Sequence, residues 1–274
     1  NDEYDLNDKR IGVIGTGSSS VQMLSPLANT GKQVNLFQRT AQWIMHTENI
    51  EYSPFDKFLK RKIPLLGYLT RRFYDLIGEL FGQAALKDGW QRRYIDKATL
   101  ENLNTVKDPE LRKKLTPDHK AMCKRMIVSD TYYPAIQRDN VEVITDNILR
   151  IEPKGVVVDD GSDSGRLVEI DTLITATGFY PNAWGVNTII GEHGATLEER
   201  WDAGVRTYRS VTMPGFPNFF MMIGPNSPIT NLSLIDIAEI GADYILQCVE
   251  KYALGELTTL APKADVTQAF TDSL

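Results

Sequence analysis

Two kinds of residue are scarce in this chain of 274 amino acids, which contains two cysteines and three histidines. Cys123 and Cys248 stand far apart, and this spacing argues against a redox disulfide, a zinc site and a disulfide-stapled secreted domain. The sequence also lacks any run of about 18 apolar residues that could span a membrane. It does not begin with the basic-then-apolar pattern of a signal peptide, and we therefore expect a cytoplasmic protein.

An excess of basic charge is also missing, because the formal net charge is −6 at pH 7. This balance gives no indication of a nucleic-acid partner. Basic residues do cluster between positions 60 and 93, a pattern typical of a membrane-surface helix or, as we favour, of a solvated outer face. The hydrophobic fraction of 42% suffices for a sizeable core, in one large or two modest domains.

The most informative stretch lies near the start of the chain. Residues 11–14 are apolar and β-branched, typical of a buried parallel strand, and Gly15-Thr16-Gly17 follows directly. Residues 21–29 are then compatible with a helix. This order is typical of a dinucleotide site, because glycine lets the backbone approach a pyrophosphate and the helix N-terminus attracts the anion. Ser20 replaces the third glycine of the usual fingerprint, so a plain strand–turn–helix unit remains the alternative.

The next predicted strand indicates which dinucleotide would bind. Residues 33–38 are β-prone and end at Arg39-Thr40, about 20 residues beyond the glycine loop. Sites that prefer NAD usually carry an acidic residue here for the ribose 2′-hydroxyl, whereas an arginine suits the 2′-phosphate of NADP. The sequence therefore predicts an NADP site, with an ordinary surface arginine as the alternative.

The rest of the chain predicts an α/β fold, a Rossmann-like parallel sheet with a helical insertion and a small β-hairpin element. The insertion would be either a cap over a substrate site or scaffold, with its helices broken near Pro64 and Gly67. Further helices are predicted at 91–104, 109–115 and 234–254. Strands are predicted at 126–128, 141–144, 156–158, 167–170, 171–179 and 217–226, with a hairpin around the turn-rich residues 159–165.

Taken together, these stretches resemble the flavin-dependent monooxygenases, most closely those of the Baeyer–Villiger type. The motifs that carry the resemblance span most of the chain and follow the family's order. They are Gly15-Thr16-Gly17-Ser18-Ser19, Phe37-Gln38-Arg39-Thr40, Lys124-Arg125, Asp130-Thr131-Tyr132-Tyr133, Arg138-Asp139-Asn140-Val141, Ala176-Thr177-Gly178-Phe179, Pro214-Gly215-Phe216-Pro217-Asn218 and Gly224-Pro225-Asn226-Ser227-Pro228.

The resemblance implies two cofactors, FAD and NADP(H), each on a Rossmann-like domain. It implies that one residue is catalytic, Arg125, whose fixed positive charge would stabilise the anionic oxidant formed on the flavin. Without the resemblance, Lys124-Arg125 would be a surface basic pair. The cofactor-binding residues implied are Gly15, Thr16, Gly17, Ser18, Ser19 and Gln22 at the NADPH loop, Arg39, Thr40 and Lys124 at the 2′-phosphate, Ala176, Thr177 and Gly178 near both cofactors, and Gly224 and Pro225 beside the flavin ring.

Departures from the family pattern shape the expected domain organisation. The family's N-terminal FAD domain, its catalytic aspartate and its Phe-x-Gly-x-x-x-His-x-x-x-Trp fingerprint are absent from this sequence. Ala41 also replaces the usual proline, although Trp43 is in place. We therefore expect an NADPH-binding Rossmann half at residues 1–52, a helical insertion at 53–120, the rest of the NADPH domain at 121–204 and the C-terminal part of an FAD domain at 205–274.

The expected function is insertion of one oxygen atom of O2 into a ketone, by a larger protein that supplies the missing N-terminal FAD domain. The partners would be a ketone and O2, with no nucleic acid, no metal and no membrane surface. Two alternatives stay open: a nitrogen- or sulfur-oxygenating flavin monooxygenase, and a non-catalytic NADP-binding module. Half of a pyridine-nucleotide disulfide reductase is excluded by the cysteine spacing.

Overall fold

The computed structural model describes residues 4–48, 51–124, 126–179, 188–227 and 233–274. The chain divides into two compact units, of which the first contains residues 1–70 and 83–179 and the second contains residues 71–82 and 180–274. In chain order, the strands are β1 (Arg10–Ile14), β2 (Gln33–Phe37), β3 (Ile44–Met45), β4 (Ile127–Val128), β5 (Val141–Ile144), β6 (Ile148–Glu152), β7 (Gly155–Val158), β8 (Arg166–Glu169) and β9 (Thr172–Thr175). The helices are α1 (Ser18–Thr30), α2 (Pro54–Lys62), α3 (Pro64–Leu86), α4 (Trp90–Leu103), α5 (Pro109–Lys114), α6 (Tyr132–Ile136), α7 (Leu197–Asp202), α8 (Leu234–Ala253) and α9 (Ala264–Asp272).

A four-stranded parallel sheet in the order β5-β2-β1-β9 forms the centre of the first unit. Ile11 of β1 pairs with Val34 on one side and with Thr172 on the other. The central strands are buried because both of their faces are covered, as parallel strands require. The predicted α/β fold class with a parallel sheet is confirmed.

Helices cover one face of this sheet. The main core cluster joins apolar residues of β1 and β2 to α1 and to the short α6, and it includes Ile11, Leu24, Leu36 and Tyr133. Burial raises the pKa of the Tyr133 hydroxyl far above its usual range, so this ring stays neutral and acts as a packing element.

A second, antiparallel sheet packs on the other side. It has the order β6-β7-β8, and its valines on β7 and β8 form a cluster with Phe37 and Ile144 of the parallel sheet. The predicted hairpin is confirmed, since β7 and β8 pair around the turn at residues 159–165. The prediction missed β6, whose residues are mostly exposed and follow no buried alternation.

The helical region after β2 begins as its sequence predicts. Ser53 caps α2 through a reciprocal hydrogen-bond pair with Asp56, and Pro64 occupies the first turn of α3. The predicted division of this region into at least two helices is confirmed at Pro64, whereas Gly67 lies inside α3 and does not break it. One glycine costs only about 1 kcal/mol in a helix, and α3 has 23 residues.

The second unit contains the central turns of α3 together with α7, α8 and α9. Arg71 on α3 forms ion pairs with Asp236 and Glu239 on α8. The predicted strand at 217–226 is wrong, because this segment consists of turns in which Asn218 and Asn226 have φ values of +57° and +66°. None of the helices in the described ranges is long and apolar enough to cross a membrane.

Candidate functional site

The glycine loop turns between the end of β1 and the start of α1. Gly15 has a φ of +114°, and a Cβ added to it would lie 2.3 Å from the carbonyl oxygen of Ala176. Its N–H donates to the carbonyl of Phe37 at 3.2 Å. Glycine is therefore required at this position, because the backbone passes tightly between the ends of β2 and β9.

Gly17 occupies a different environment. It has an ordinary φ of −75° as the N-cap residue of α1, and an added Cβ would meet nothing within 4 Å. Neither backbone conformation nor packing requires glycine here. The open space beside the first turn of α1 leaves room for a ligand backbone to approach the helix N-terminus.

The N-terminus of α1 is suited to an anion. No described side chain caps this helix, and its first turn carries no acidic residue. Its leading N–H groups therefore retain their hydrogen-bonding capacity and partial positive charge. Ser18 and Ser19 lie in that turn, whereas Gln22 is exposed one turn further on. Ser20, only 1% exposed, fills the packing position that the third glycine of the fingerprint usually occupies.

A cleft of about 640 Å³ opens at the carboxyl edge of the parallel sheet. Its walls come from the loops that follow β1, β2, β5 and β9, together with the segment before β4. The predicted residues that line it are Gly15, Thr16, Gly17, Arg39, Thr40, Lys124, Ala176, Thr177 and Gly178. Ser18, Ser19 and Gln22 are not among the lining residues.

Two cations contribute to this cleft from different segments. Arg39 follows β2 directly and Lys124 precedes β4, and both side chains are exposed. Within the described ranges, neither forms an ion pair with a carboxylate. Thr16 donates from its hydroxyl to the carbonyl of Thr40 at 2.7 Å, which joins the glycine loop to the loop that carries Arg39.

A carboxylate also lies near Lys124. The pKa of Asp118 is below its usual range, first because of its hydrogen bond with the His119 ring and to a smaller extent because of the positive charge of Lys124. Asp118 is 88% exposed, so water weakens its attraction for Lys124. The lysine therefore keeps its charge available to a ligand.

Sequence reasoning missed part of the cleft wall. Thr145, Asp146 and Asn147 line it immediately after β5, together with Gln38 and Gln42. A signal was present, because residues 141–144 were predicted as a strand, and ligands of parallel sheets bind at the carboxyl ends of strands. Asp146 lies 3.6 Å from the guanidinium of Arg166, which partly neutralises it.

Two further predicted site residues, Gly224 and Pro225, are not among the residues that line this cleft. Gly224 and Pro225 lie in the second unit, where the Gly224 N–H donates to the carbonyl of Ser210 at 3.0 Å and Thr207 donates to the carbonyl of Pro225 at 3.0 Å. Because its N–H is already engaged, Gly224 offers no backbone donor to a flavin in this conformation. Arg125 falls outside the described residues.

The cleft is chemically suited to binding rather than to acid–base work. Its lining residues include no histidine or cysteine, and its one carboxylate is Asp146. The described residues contain no group of three metal-ligating side chains. An uncapped helix, a glycine loop and two cations instead fit an extended ligand that carries several phosphates. Any redox chemistry here would come from such a ligand.

Comparison of the sequence with known proteins gives a consistent result. Residues 2–184 match the model of the FMO-like family, described as flavin-binding monooxygenase-like. An uncharacterised monooxygenase of Mycobacterium tuberculosis is 40% identical over 266 residues, which cover 97% of this chain and 53% of that protein. A Baeyer–Villiger monooxygenase of Streptomyces coelicolor is 33% identical over 264 residues, which cover 95% of this chain and 50% of that protein. The chain thus spans about half the length of these relatives.

Solved structures of similar fold cover nearly the whole chain. A steroid monooxygenase bound to NADP superposes with a TM-score of 0.83 at 24% identity, covering 99% of this chain and 58% of that one. Cyclohexanone monooxygenase with bound cyclohexanone gives a TM-score of 0.83 at 23% identity, covering 99% of this chain and 60% of that one. The OTEMO complex with FAD and NADP gives 0.82 at 25% identity, covering 97% and 56%.

Proposed function

We propose, from the premise that this chain belongs to the flavin-binding monooxygenase-like family, that its cleft binds NADPH on behalf of an FAD-dependent monooxygenase. The family resemblance predicted from the motifs is confirmed, and so is the class of enzyme, an oxidoreductase. What is proposed is the nucleotide, the residues that hold it and the substrate.

The observation that carries the proposal is the convergence of Arg39 and Lys124 on a cleft that also contains the open N-terminus of α1. The pyrophosphate would lie along Gly15 and Gly17, where the helix N–H groups provide donors. The ribose 2′-phosphate would then lie between the two cations. An arginine binds a phosphate through two parallel hydrogen bonds, and a lysine adds a point charge.

The proposed reaction is Baeyer–Villiger oxidation, in which a ketone, O2, NADPH and a proton give an ester, NADP+ and water. FAD supplies the oxygen chemistry when bound, and NADPH supplies the hydride. The similarity to the Baeyer–Villiger monooxygenase of Streptomyces coelicolor supports this choice. We propose Arg125 as the charge that stabilises an anion at the reacting centre, and Ala176 to Gly178 as the segment that meets both cofactors.

Two assignments extend beyond the cleft. We keep Gly224 and Pro225 as the part of the second unit that would approach the flavin, through groups other than the Gly224 N–H. We also propose that catalysis requires the N-terminal FAD domain that the family resemblance implies, because this chain spans about half the length of its relatives. Without that domain the chain would bind NADPH but would not oxygenate a ketone.

Calorimetric titration of the chain with NADP+, NAD+ and FAD tests the proposal. We expect tight binding of NADP+, weak binding of NAD+ and negligible binding of FAD. Equal affinity for NADP+ and NAD+ would contradict the 2′-phosphate assignment. If the protein that contains this chain, loaded with FAD, binds NADPH but neither oxidises it nor converts a ketone, sulfide or amine, the non-catalytic nucleotide-binding alternative is favoured.

A further inference from the structure

Lys124 reaches the cleft on a segment without regular secondary structure. Residues 115–124, which follow α5, form only turns and bends, and Met122 within them has a φ of +65°. A lysine has a long side chain with many rotamers, so on a mobile backbone it would discriminate poorly between phosphate positions. The path of this segment must therefore be fixed by other groups.

Three side chains from other elements donate hydrogen bonds to carbonyls at the end of α5 and along this segment. Gln38 donates to the carbonyl of Lys114 at 2.6 Å, and the Trp43 indole N–H donates to the carbonyl of His119 at 2.6 Å. Arg92 on α4 donates from Nη1 to the carbonyl of Ala121 at 2.9 Å, three residues before Lys124. Gln38 and Trp43 flank Arg39 in sequence, so one short segment carries one cation and fixes the backbone that carries the other.

Arg92 is the most unusual of these donors because its charge is buried. Its side chain is 11% exposed, and its Nε atom lies 3.5 Å from Asp88, a carboxylate that is itself 82% exposed. The same Nε donates to the carbonyl of Ala84 at 2.9 Å. Burying a guanidinium is costly, and an apolar side chain of similar volume would pack at lower cost. The arginine is thus better explained by the two carbonyls that its planar group joins than by packing alone.

We propose that Arg92 and Trp43 are positioning residues that act through Lys124 and thereby set the preference for a 2′-phosphorylated nucleotide. The proposal rests on the proposed function, because it takes the cleft to be the NADP site. Loss of either donor releases the carbonyl at position 119 or 121 and displaces Lys124 from the ribose phosphate. NAD+, which lacks that phosphate, is bound independently of both residues.

The test uses variants of the full chain in calorimetric titrations with NADP+ and NAD+. Arg92→Met keeps the apolar stem and removes the donors, and Trp43→Phe keeps an aromatic ring and removes the N–H. We expect the Kd for NADP+ to rise about tenfold in Arg92→Met and about threefold in Trp43→Phe, with the Kd for NAD+ unchanged. Arg93→Met, at the exposed neighbouring position on α4, is the matched control and should bind both nucleotides like the wild type.

A double-mutant cycle separates positioning from a general structural role. If Arg92 acts through Lys124, then Arg92→Met should weaken NADP+ binding no further in a Lys124→Ala background. A role in overall stability would instead lower the affinity for both nucleotides in either background. Trp43→Phe serves in the same cycle if Arg92→Met does not fold.

The outcomes distinguish the positioning role of Arg92 and Trp43 from the assignment of the cleft to NADP. If Lys124→Ala weakens NADP+ binding but Arg92→Met and Trp43→Phe do not, or if their effects add to it, this inference alone is overturned. If the wild-type chain does not prefer NADP+ to NAD+, the proposed function fails and the inference fails with it. Hydrogen exchange of residues 116–124 gives a readout that needs no nucleotide, and we expect it to accelerate in Arg92→Met while exchange in α1 is unchanged.

Discussion

Gly15 and Gly17 lie two residues apart in one loop, and replacing each by alanine should affect a different property. We expect Gly15→Ala to lower stability and Gly17→Ala to weaken nucleotide binding. At Gly15, alanine would have to adopt a φ of +114° with its Cβ 2.3 Å from a backbone oxygen. Backbone strain of this kind costs about 1–3 kcal/mol, and forcing neighbouring backbone apart adds about the same. We therefore expect Gly15→Ala to lower the free energy of unfolding by about 2–6 kcal/mol.

At Gly17 the folded chain has room for the methyl group, because nothing lies within 4 Å of the added Cβ. Alanine restricts the unfolded chain, which stabilises by about 0.4–1 kcal/mol. It is also a poorer N-cap residue, which costs about the same. Stability should change by less than about 1 kcal/mol, but the methyl group would occupy the path of the pyrophosphate and raise the Kd for NADP+ and NAD+ alike, about tenfold.

Thermal unfolding and calorimetric titration of both variants make the comparison. Gly15→Ala should lower the Tm by roughly 5–15 °C, whereas Gly17→Ala should melt close to the wild type and bind both nucleotides about tenfold more weakly. A wild-type Tm for Gly15→Ala would refute the close approach of the loop to β9. Wild-type affinity in Gly17→Ala would show that no ligand passes this point of the loop.

Further variants test the charge, pH and packing assignments. Arg39→Ala should weaken NADP+ binding by about 1.5–3 kcal/mol in calorimetry with little change for NAD+, and equal losses for both would remove the 2′-phosphate assignment. Hydrogen bonds from the guanidinium and the backbone N–H of Arg10 hold the pKa of Asp171 well below its usual range. Asp171→Asn should therefore lower the Tm at pH 7. The Asp171 carboxylate stabilises the fold above its unfolded pKa of about 3.9, and this contribution is lost as the pH falls. The Tm difference between the wild type and Asp171→Asn should therefore shrink in melts below pH 4. A Tm difference that stays constant with pH would contradict a role for the ion pair of Arg10 and Asp171. Gly67→Ala should stabilise the fold by about 1 kcal/mol, because nothing lies near the added Cβ inside α3. Gly241→Ala in α8 should instead lower the Tm, because its Cβ would lie 2.6 Å from the carbonyl oxygen of Met222. Equal Tm changes in the two glycine variants would contradict the close contact of α8.

The first β–α–β unit could be predicted from the sequence because each of its features has a local cause. The apolar run at residues 11–14 is short and β-branched, and glycine marks the turn after it. Arg39 stands at the end of the next strand, so its place at the carboxyl edge follows from parallel pairing alone. Lys124 was found only through the family resemblance, because its segment has no periodicity.

Other parts depended on contacts that no local pattern reveals. Residues 217–226 have the apolar composition of a strand, yet Met221 forms one hydrogen bond to Val211 and its side chain packs in the small core of the second unit. Without a continuous partner, the backbone follows turns. Asp146 and Asn147 were missed because their place beside the cleft depends on β5 pairing with β2, and the paired residues Val34 and Val141 are 107 positions apart in the chain.

The pairing of β9 with β1 has a consequence for how the protein reaches its native state. These strands are neighbours in the sheet, yet Arg10 and Asp171, which join their starting ends, are 161 positions apart in sequence. Closing so long a loop is slow because its entropy must be lost before the contacts form. The cleft has no complete wall until β9 has docked, since Ala176 and Thr177 follow that strand. During refolding, we therefore expect recovery of nucleotide binding to lag behind recovery of helical circular dichroism.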